Sequence, residues 1–404
     1  MKSLILGYGL TGKSVERYLV RSNVDYLIYD DSPEIAKNID EDKLYKSQDI
    51  NSIDQVIISP GISPNNQLVL AFEDKETPIR TDIDIFATEY KGDIIGVTGT
   101  NGKTTFVSVL SDFLNSSGVK TITAGNIGMS PLDIPEDKYD FVILELSSYQ
   151  LHYTTSLNLD IAVIINIYPD HVDWHNSFQN YASAKLKILK FLDIKKSERK
   201  VIGSSEDIIK TNLPLTTEST KLNKTKIHPE LILALGETTK IIDNKNLYNK
   251  FINYIKNTEI KYPHRMETFL HLENKNITFI NDSKATNFHA VNQATKLISE
   301  EKVDGILILH GITKETPESE LIVDSSFKKI IIPKSMNIKL STTNAEVIYI
   351  DTIHHLKETI RGLINSNQIF LFSCGGSSFN DFTNYEERGD FFKELVTSMD
   401  IKDD

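Results

Sequence analysis

The sequence has almost no cysteine, no long apolar run and no excess of positive charge. Among its 404 residues Cys374 is the only cysteine, which excludes an internal disulfide framework and a metal site built from a cysteine cluster. No apolar stretch is long enough to span a bilayer. Residues 1–7 show no apolar segment followed by a cleavage site, so we expect a first strand rather than a signal peptide. These absences predict a cytoplasmic protein with no membrane partner.

The charge balance of the chain is acidic. Asp and Glu number 56 against 44 Lys and Arg, giving a net charge of −12, and no basic stripe offsets this balance. It therefore argues against nucleic acid as a partner. The composition, 40% hydrophobic and 25% charged, is that of a globular protein, and the length predicts two or three domains. Anionic substrates would need basic side chains and Mg²⁺ concentrated at their site.

A glycine-rich turn between an apolar strand and a helix is the most informative stretch. Residues 98–105 read Thr-Gly-Thr-Asn-Gly-Lys-Thr-Thr, after the apolar run 94–97 and before the apolar run 106–110. Glycines let backbone N–H groups face an anion, and the following helix adds the positive end of its dipole. Lys103 can reach phosphates and the Thr104 hydroxyl can ligate Mg²⁺. We interpret this stretch as an ATP site, although its glycines are closer together than in the usual P-loop.

A second glycine turn follows the first strand. Residues 7–12 fit G-x-G-x-x-G, and the strand 26–29 after the next helix ends in Asp30 and Asp31. This arrangement is typical of dinucleotide binding and, taken alone, indicates an NAD-linked oxidoreductase. The segment before the ATP loop is too short for a six-stranded dinucleotide fold. It predicts a half-size α/β unit that binds one nucleotide moiety.

Polar residues also follow two buried strands of the central region. Glu145 ends the strand 139–144, and the loop 166–175 after the strand 161–165 holds two Asp and two His. A carboxylate at a strand end beside a phosphate loop is where a Mg²⁺ ligand is needed. We therefore predict a metal or proton-transfer cluster here. By pattern alone, Lys185 is a surface lysine of an amphipathic helix.

The last third of the chain alternates strands with polar turns. It predicts a hairpin over 268–272 and 277–280, buried strands over 303–309 and 368–373, and a closing helix over 390–399. Strand, glycine or serine turn and helix in repetition imply a parallel sheet with sites at the carboxyl ends of its strands. The whole chain thus reads as an α/β protein.

Together these motifs resemble the Mur ligase family over nearly the whole chain. Residues 99–104 resemble the family's ATP loop, and residues 144–151 and 170–175 match further motifs. Residues 281–287 and 378–389 most resemble the member that adds D-glutamate. The resemblance implies three α/β domains, listed here with their roles: a Rossmann-like unit for a UDP-sugar (1–90), a P-loop ATPase-type parallel sheet for ATP and Mg²⁺ (91–260), and a Rossmann-like unit for the amino acid (261–404).

The resemblance also implies roles for individual residues. The predicted catalytic residues are Lys103, Glu145, His171 and Lys185. The predicted metal ligands are Thr104, Glu145, His171 and Lys185, the last as a carbamate. The predicted ATP contacts are Gly99, Thr100, Asn101, Gly102, Lys103, Thr104, Thr105, Arg265 and Asp282. The predicted UDP-sugar contacts are Gly9, Leu10, Thr11, Asp30, Asp31, Ser59, Gly61 and Asn126. The predicted D-glutamate contacts are Thr286, Lys314, Ser378 and Tyr385.

The implied reaction is ATP-dependent amide ligation in peptidoglycan synthesis. ATP would phosphorylate the carboxylate of UDP-N-acetylmuramoyl-L-alanine, and the amine of D-glutamate would attack the acyl phosphate. The resemblance to the family implies that the protein is a monomer.

Three departures from the family's pattern leave a second interpretation open. Residues 228–232 lack both asparagines of an H-N-x-x-N segment, Trp174 replaces an arginine, and His310 replaces the first of two glycines. A relative that binds nucleotide or UDP-sugar without ligating would fit these changes. A folylpolyglutamate-synthase-like enzyme shares the ATP module, but the unit with the first glycine turn argues against it.

Overall fold

The structure is a computed structural model that describes residues 1–192, 199–202, 227, 229–258, 260–299, 304–313, 319–341, 344–399 and 401. The described residues form two compact units. The first comprises 1–167, 171–192, 199–202 and 230–254, and the second comprises 168–170, 227, 229 and the described residues from 255 onwards. Within the part of the chain that is described, no helix is both long and apolar enough to cross a membrane.

The first sheet of the first unit is parallel throughout. Its strands are β1 (Lys2–Leu6), β2 (Asp25–Tyr29), β3 (Gln55–Ile58) and β4 (Ile79–Arg80), in the order β2-β1-β3-β4. The helices are α1 (Leu10–Arg21), α2 (Pro33–Ala36), α3 (Gln67–Asp74) and α4 (Asp82–Glu89). Side chains of β1 are buried on both faces, because Leu4 packs with Phe72 and Ile5 packs with Val15. Burial on both faces explains why β1 reads as a continuous apolar run.

The second sheet of the same unit carries the phosphate loop. Its parallel strands are β5 (Ile94–Thr98), β6 (Thr121–Gly125), β7 (Phe141–Glu145), β8 (Ile161–Ile164) and β9 (Lys200–Ile202), in the order β6-β7-β5-β8-β9. The helices are α5 (Lys103–Ser116), α6 (Ser148–Tyr153), α7 (Val172–His175), α8 (Phe178–Leu186) and α9 (Pro229–Asn257). Because β5 lies between β7 and β8, the loops that follow these three strands meet at one edge.

The sheet of the second unit is mixed. In the order β10-β11-β17-β12-β14-β16, its strands are β10 (Glu267–Leu272), β11 (Ile277–Asp282), β17 (Gln368–Gly375), β12 (Asp304–His310), β14 (Phe327–Pro333) and β16 (Glu346–Ile350). The strands β13 (Glu320–Ile322) and β15 (Lys339–Ser341) pair separately. The helices are α10 (Phe288–Ser299), α11 (Leu356–Leu363) and α12 (Tyr385–Thr397). As the sequence predicts, β10 and β11 form an antiparallel hairpin, and the other strands of the large sheet run parallel.

The α/β architecture predicted from the sequence is confirmed, although the bounds of several predicted elements are displaced. The closing helix begins at Tyr385 rather than at Asp390, because the Asn384 side chain caps it by accepting a hydrogen bond from the Glu387 N–H at 2.7 Å. The domain boundaries near residues 90 and 260 stay a prediction.

Candidate active site

The phosphate loop joins β5 to α5 through a glycine in the left-handed region. Gly102 has a φ of 83° and caps α5, and a Cβ at this position would lie 2.6 Å from Cδ1 of Leu231. The left-handed φ favours glycine here, whereas the flexible end of Leu231 could shift to admit a Cβ. Leu231 belongs to the segment 228–232 that lacks the family's asparagines, so an apolar side chain of this segment lies beside the loop. His228, in the same segment, lies outside the described residues.

Asn166, which the sequence analysis did not single out as a site residue, fixes the conformation of this loop. Its Oδ1 accepts hydrogen bonds from the N–H groups of Thr100 and Asn101, each at 3.0 Å, and its Nδ2 donates to the Asn101 carbonyl at 3.3 Å. Asn166 follows β8, the strand next to β5. Its place just beyond a strand end was the available signal, but only the strand order shows which loop it contacts.

Two lysines converge on one carbonyl of the phosphate loop. Lys103 Nζ donates to the Gly99 carbonyl at 2.7 Å and to the Thr100 carbonyl at 3.0 Å, while Lys185 Nζ donates to the Gly99 carbonyl at 2.8 Å. Lys185 is only 2% exposed and lies over the Tyr181 ring, so the surface position that its helix pattern indicates is wrong. Two ammonium groups beside one loop create the positive potential that an anionic ligand needs.

Glu145 offers a buried oxygen that fits a cation. It ends β7 at 1% exposure, and its Oε1 accepts a hydrogen bond from Asn126 Nδ2 at 2.9 Å. Its Oε2 is buried without a hydrogen-bond partner among the described residues. An unpaired buried carboxylate oxygen is costly, and carboxylate is a preferred Mg²⁺ ligand, so Glu145 fits the predicted metal. Across the described ranges, no three His, Cys, Asp or Glu side chains form a metal site. Further donors would therefore have to include the Thr104 hydroxyl or substrate oxygens.

The two histidines of the polar loop differ in environment. His171 Nδ1 lies 2.6 Å from the Tyr149 hydroxyl, which makes it a polar member of the site. His175 is 3% exposed, both of its ring nitrogens are buried without partners in the described structure, and Tyr149 stacks on its ring. Burial lowers the pKa of His175 to about 4, with nearby cationic groups contributing less. His175 is therefore a neutral packing residue at pH 7.

Trp174 connects this loop to the first sheet. Its Nε1 donates to the Gly61 carbonyl at 3.4 Å, and Tyr153 of α6 donates its hydroxyl to the Ile62 carbonyl at 2.9 Å. The loop after β3 is thereby held against the central elements. Trp174, which stands where the family's pattern has an arginine, thus contacts Gly61, a predicted UDP-sugar residue.

The first glycine turn is held by an acidic side chain. The Asp30 carboxylate accepts hydrogen bonds from the N–H groups of Tyr8 at 2.6 Å and Ser32 at 2.9 Å, while Ser59 Oγ donates to the Gly7 carbonyl at 2.8 Å. Both oxygens of Asp30 are thus engaged with backbone, so in this structure Asp30 shapes the turn. Contact between Asp30 and a sugar stays a prediction.

Four more of the predicted UDP-sugar residues lie at or after the first two strands of this sheet. Gly9 caps α1, and Leu10 and Thr11 form the first turn of that helix. Leu10 is 87% exposed, and a Cβ at Gly9 would meet no atom within 4 Å. Asp31 is exposed and accepts a hydrogen bond from Asn66 Nδ2 at 3.3 Å. The helix start is therefore open to a ligand.

In the second unit, Arg265, Asp282 and Tyr385 lie together. Asp282 accepts hydrogen bonds from Ser373 Oγ at 2.7 Å and from the Met266 N–H at 3.1 Å. Burial raises the pKa of Asp282 to about 7, which Arg265 partly opposes. Burial also raises the pKa of Tyr385 to about 12, with a hydrogen bond to Arg265 acting in the opposite direction. Arg265 Nη2 is buried without a partner among the described residues.

We expect Asp282 to destabilise the folded protein progressively as pH rises from about 4 to about 7. The unfolded chain releases this proton near pH 3.9, whereas the folded protein holds it to about pH 7. In this window the folded state binds one more proton, so the unfolding free energy due to Asp282 falls by about 1.4 kcal/mol per pH unit. Asp282→Asn removes the titration. In urea unfolding at pH 5, 6 and 7, the unfolding free energy of the variant should rise relative to that of the native protein as pH increases. An equal pH dependence of the two unfolding free energies would contradict this prediction.

The described members of the predicted D-glutamate set, Thr286, Ser378 and Tyr385, lie at one edge of the mixed sheet. Thr286 and Ser378 follow β11 and β17, which are neighbours, and the Gly375 N–H donates to the Ala285 carbonyl at 2.8 Å. Ser283 Oγ donates to the Tyr385 carbonyl at 2.9 Å, which links the start of α12 to the same edge. Lys314 lies outside the described residues.

Arg388, which sequence reasoning did not single out, joins three of these loops. It is fully buried and donates to Ser283 Oγ at 2.9 Å, the Ser283 carbonyl at 2.7 Å, the Gly376 carbonyl at 2.9 Å and the His310 carbonyl at 3.1 Å. The available signal was its spacing of four residues from Phe392, which puts it on the apolar face of α12.

The site and fold agree with a match to two family models. "Mur ligase MurD-like, N-terminal domain" matches residues 1–80, and "Mur ligase middle domain" matches residues 97–227. The chain is 31% identical to the UDP-N-acetylmuramoylalanine--D-glutamate ligase of Francisella tularensis subsp. novicida, over 99% of this chain and 97% of that protein. It is also 31% identical to the ligase of the same name from Buchnera aphidicola, over 98% and 97%. The chain belongs to the Mur ligase family.

Solved structures show the same architecture. The MurF ligase of Thermotoga maritima in complex with ADP aligns with a TM-score of 0.56 at 12% identity, covering 98% of this chain and 94% of that one. The UDP-N-acetylmuramate-alanine ligase MurC of Thermotoga maritima aligns with a TM-score of 0.52 at 15% identity, covering 98% and 100%. At these identities the similarity establishes the fold.

Proposed function

We propose that the protein is an ATP-dependent ligase that adds D-glutamate to UDP-N-acetylmuramoyl-L-alanine in cytoplasmic peptidoglycan synthesis, acting as a monomer. The observation that carries this proposal is the pairing of β5 with β7. It sets Glu145 in register with Val97, at the start of a loop on which Lys103 and Lys185 converge. A carboxylate ligand for a cation and the Lys103 ammonium at one strand edge suit phosphoryl transfer from ATP. The whole-length relatives named for D-glutamate ligation support the choice of amino acid.

In this proposal the phosphate loop holds ATP through residues 99–105, and Lys103 neutralises charge that develops on the transferred phosphoryl group. Glu145, Thr104, His171 and a carbamylated Lys185 would hold Mg²⁺. The metal would supply further charge neutralisation when bound. Carbamylation would turn the buried Lys185 ammonium into an oxygen donor, which suits Mg²⁺. Arg265 and Asp282 would contribute further ATP contacts.

Other loops would hold the two remaining substrates. Gly9, Leu10, Thr11, Asp30, Asp31, Ser59, Gly61 and Asn126 would receive the UDP-sugar, and Thr286, Lys314, Ser378 and Tyr385 would receive D-glutamate. Phosphoryl transfer to the alanyl carboxylate gives an acyl phosphate. The amine of D-glutamate then attacks the acyl carbon, and the tetrahedral intermediate expels phosphate as the amide forms. No covalent bond to the enzyme is required.

The test is phosphate release from ATP and Mg²⁺ with UDP-N-acetylmuramoyl-L-alanine, with D-glutamate or L-glutamate added in turn. The proposal expects release only with D-glutamate and only when the UDP-sugar is present. Release with neither amino acid, although the UDP-sugar binds, would contradict ligation. Equal release with both isomers would contradict the assigned specificity.

Intrinsic fluorescence should report UDP-sugar binding. Trp174 is the only tryptophan of the chain, and its indole N–H contacts the carbonyl of Gly61, a proposed UDP-sugar residue. A ligand that reaches Gly61 should disturb this hydrogen bond and change the polarity around the indole. We therefore expect a saturable change in tryptophan emission on titration with UDP-N-acetylmuramoyl-L-alanine.

Trp174→Phe is the control for this titration. It removes the emitter and should abolish the signal, while calorimetry should still detect binding. Calorimetric binding to the native protein with no change in emission would show that the sugar does not reach the Gly61 loop.

A further inference from the structure

One buried side chain ties the Ser378 loop to the end of β12. His310, the last residue of β12, is 1% exposed, and its Nε2 lies 2.9 Å from Oδ2 of Asp381. A carboxylate oxygen only accepts hydrogen bonds, so Nε2 carries the hydrogen and donates it. Burial and, to a smaller extent, Arg388 lower the pKa of His310 to about 4, which Asp381 opposes. The imidazole is therefore neutral at pH 7 and donates to Asp381.

Asp381 in turn belongs to the turn that holds Ser378. The N–H groups of Asp381 and Phe382 donate to the Ser378 carbonyl at 3.2 and 3.0 Å. Asn380 Nδ2 donates to the same Asp381 oxygen at 2.7 Å, and the Phe382 ring packs against the His310 imidazole with 5.6 Å between ring centroids. His310 thus reaches the backbone of Ser378 through a single intervening residue.

Backbone hydrogen bonds fix the segment that precedes Ser378. Ile312 and Ser377 exchange two hydrogen bonds, at 3.0 and 2.8 Å. Gly311 has a φ of 119°, and a Cβ there would lie 2.2 Å from the Ser377 carbonyl oxygen, so no side chain fits between the two segments. The segment before Ser378 is therefore anchored by its main chain, and the segment after it is anchored by the bond between His310 and Asp381.

We propose that His310 and Asp381 form a positioning pair that holds the Ser378 turn in the geometry that receives D-glutamate, an inference that rests on the proposed function. Ser378 itself is 4% exposed, so small movements of its turn change what its hydroxyl can reach. Glycine, which the family's pattern has at position 310, has no side chain that could make this bond. The pair is thus a property of this chain's own sequence.

The kinetic test compares His310→Ala, Asp381→Ala and the double variant. Loss of a hydrogen bond to a charged group should raise the KM for D-glutamate by about 10-fold to 100-fold, with changes below about twofold in the KM for ATP and for the UDP-sugar. The double variant should be no worse than either single one, because the two residues act through one bond. His310→Gln keeps an N–H donor and should restore most of the affinity. His271→Ala removes an imidazole that bonds Thr278 Oγ1 at 2.9 Å on the hairpin, and it should change none of these values.

Hydrogen exchange gives a readout that does not require activity. His310→Ala should speed exchange of the Asp381 and Phe382 amides by about tenfold, whereas His271→Ala should not. Unchanged exchange would overturn the pair as a support for the turn. Faster exchange with the three KM values moving together, or not at all, would overturn its role toward D-glutamate. If the native protein releases no phosphate with D-glutamate, the proposed function fails, and exchange still decides whether the pair holds the turn.

Discussion

Lys103→Ala is expected to reduce D-glutamate-dependent phosphate release by about 10³-fold. The Lys103 ammonium lies at the phosphate loop, beside the buried Lys185, and donates to the carbonyls of Gly99 and Thr100. Without it, negative charge that develops on the phosphoryl group loses the cation that the phosphate loop supplies. The two hydrogen bonds that disappear run from a charged donor to neutral carbonyls and are worth about 1.5–3 kcal/mol each, so thermal unfolding has to verify that the variant folds.

Lys120→Ala is the matched control for this variant. Lys120 belongs to the same unit, but it is about half exposed and pairs with Asp137 at 2.6 Å on the surface. The Lys120→Ala variant should retain activity within about twofold, because exposed ion pairs contribute little to protein stability. A Lys103→Ala protein with native activity would show that the phosphate loop does not work as proposed. A folded, inactive protein, verified by thermal unfolding, is the expected result.

Arg388→Met is expected to lower the unfolding free energy by at least about 3 kcal/mol. The buried guanidinium donates four hydrogen bonds, all to neutral oxygen atoms of Ser283, His310 and Gly376. These residues lie at the end of β12 or one residue beyond the ends of β11 and β17, and methionine removes the donor that Arg388 supplies to each oxygen. Removing the guanidinium also removes the free-energy cost of burying its charge. This gain offsets only part of the lost hydrogen bonding, because each oxygen left without a partner has its own desolvation cost.

Two further variants test why Arg388→Met should destabilise the protein. Arg388→Lys keeps the charge but loses the planar fork that serves three loops at once, so it should also destabilise. Arg361→Met is the control, because Arg361 is exposed on α11 and, among the described residues, its side chain makes a long contact of 3.5 Å with the Met399 carbonyl. It should change stability by less than about 0.5 kcal/mol in urea unfolding. An Arg388→Met protein as stable as the Arg361→Met control would show that Arg388 does not join these loops.

The local features of the chain could be predicted from its sequence. The phosphate loop follows from an apolar strand, two glycines and a helix, and the hairpin β10–β11 follows from two apolar-rich runs around a polar turn. Glu145 could be placed at a strand end for the same reason. Each of these depends on the periodicity and turn chemistry of a few consecutive residues. That information is complete within the segment itself.

The partners of these residues were decided by tertiary structure. An amphipathic pattern does not distinguish a lysine that faces solvent from one that faces a neighbouring loop. The pattern therefore predicts an exposed Lys185, whereas the structure buries it. Asn166 reaches the phosphate loop because β8 lies beside β5, and His310 reaches Asp381 because β12 lies beside β17. Strand order depends on how crossover helices pack over the whole sheet, a long-range property that no short stretch contains. The sequence by itself therefore determined the elements and the chemistry at their ends, and the tertiary structure decided which ends meet.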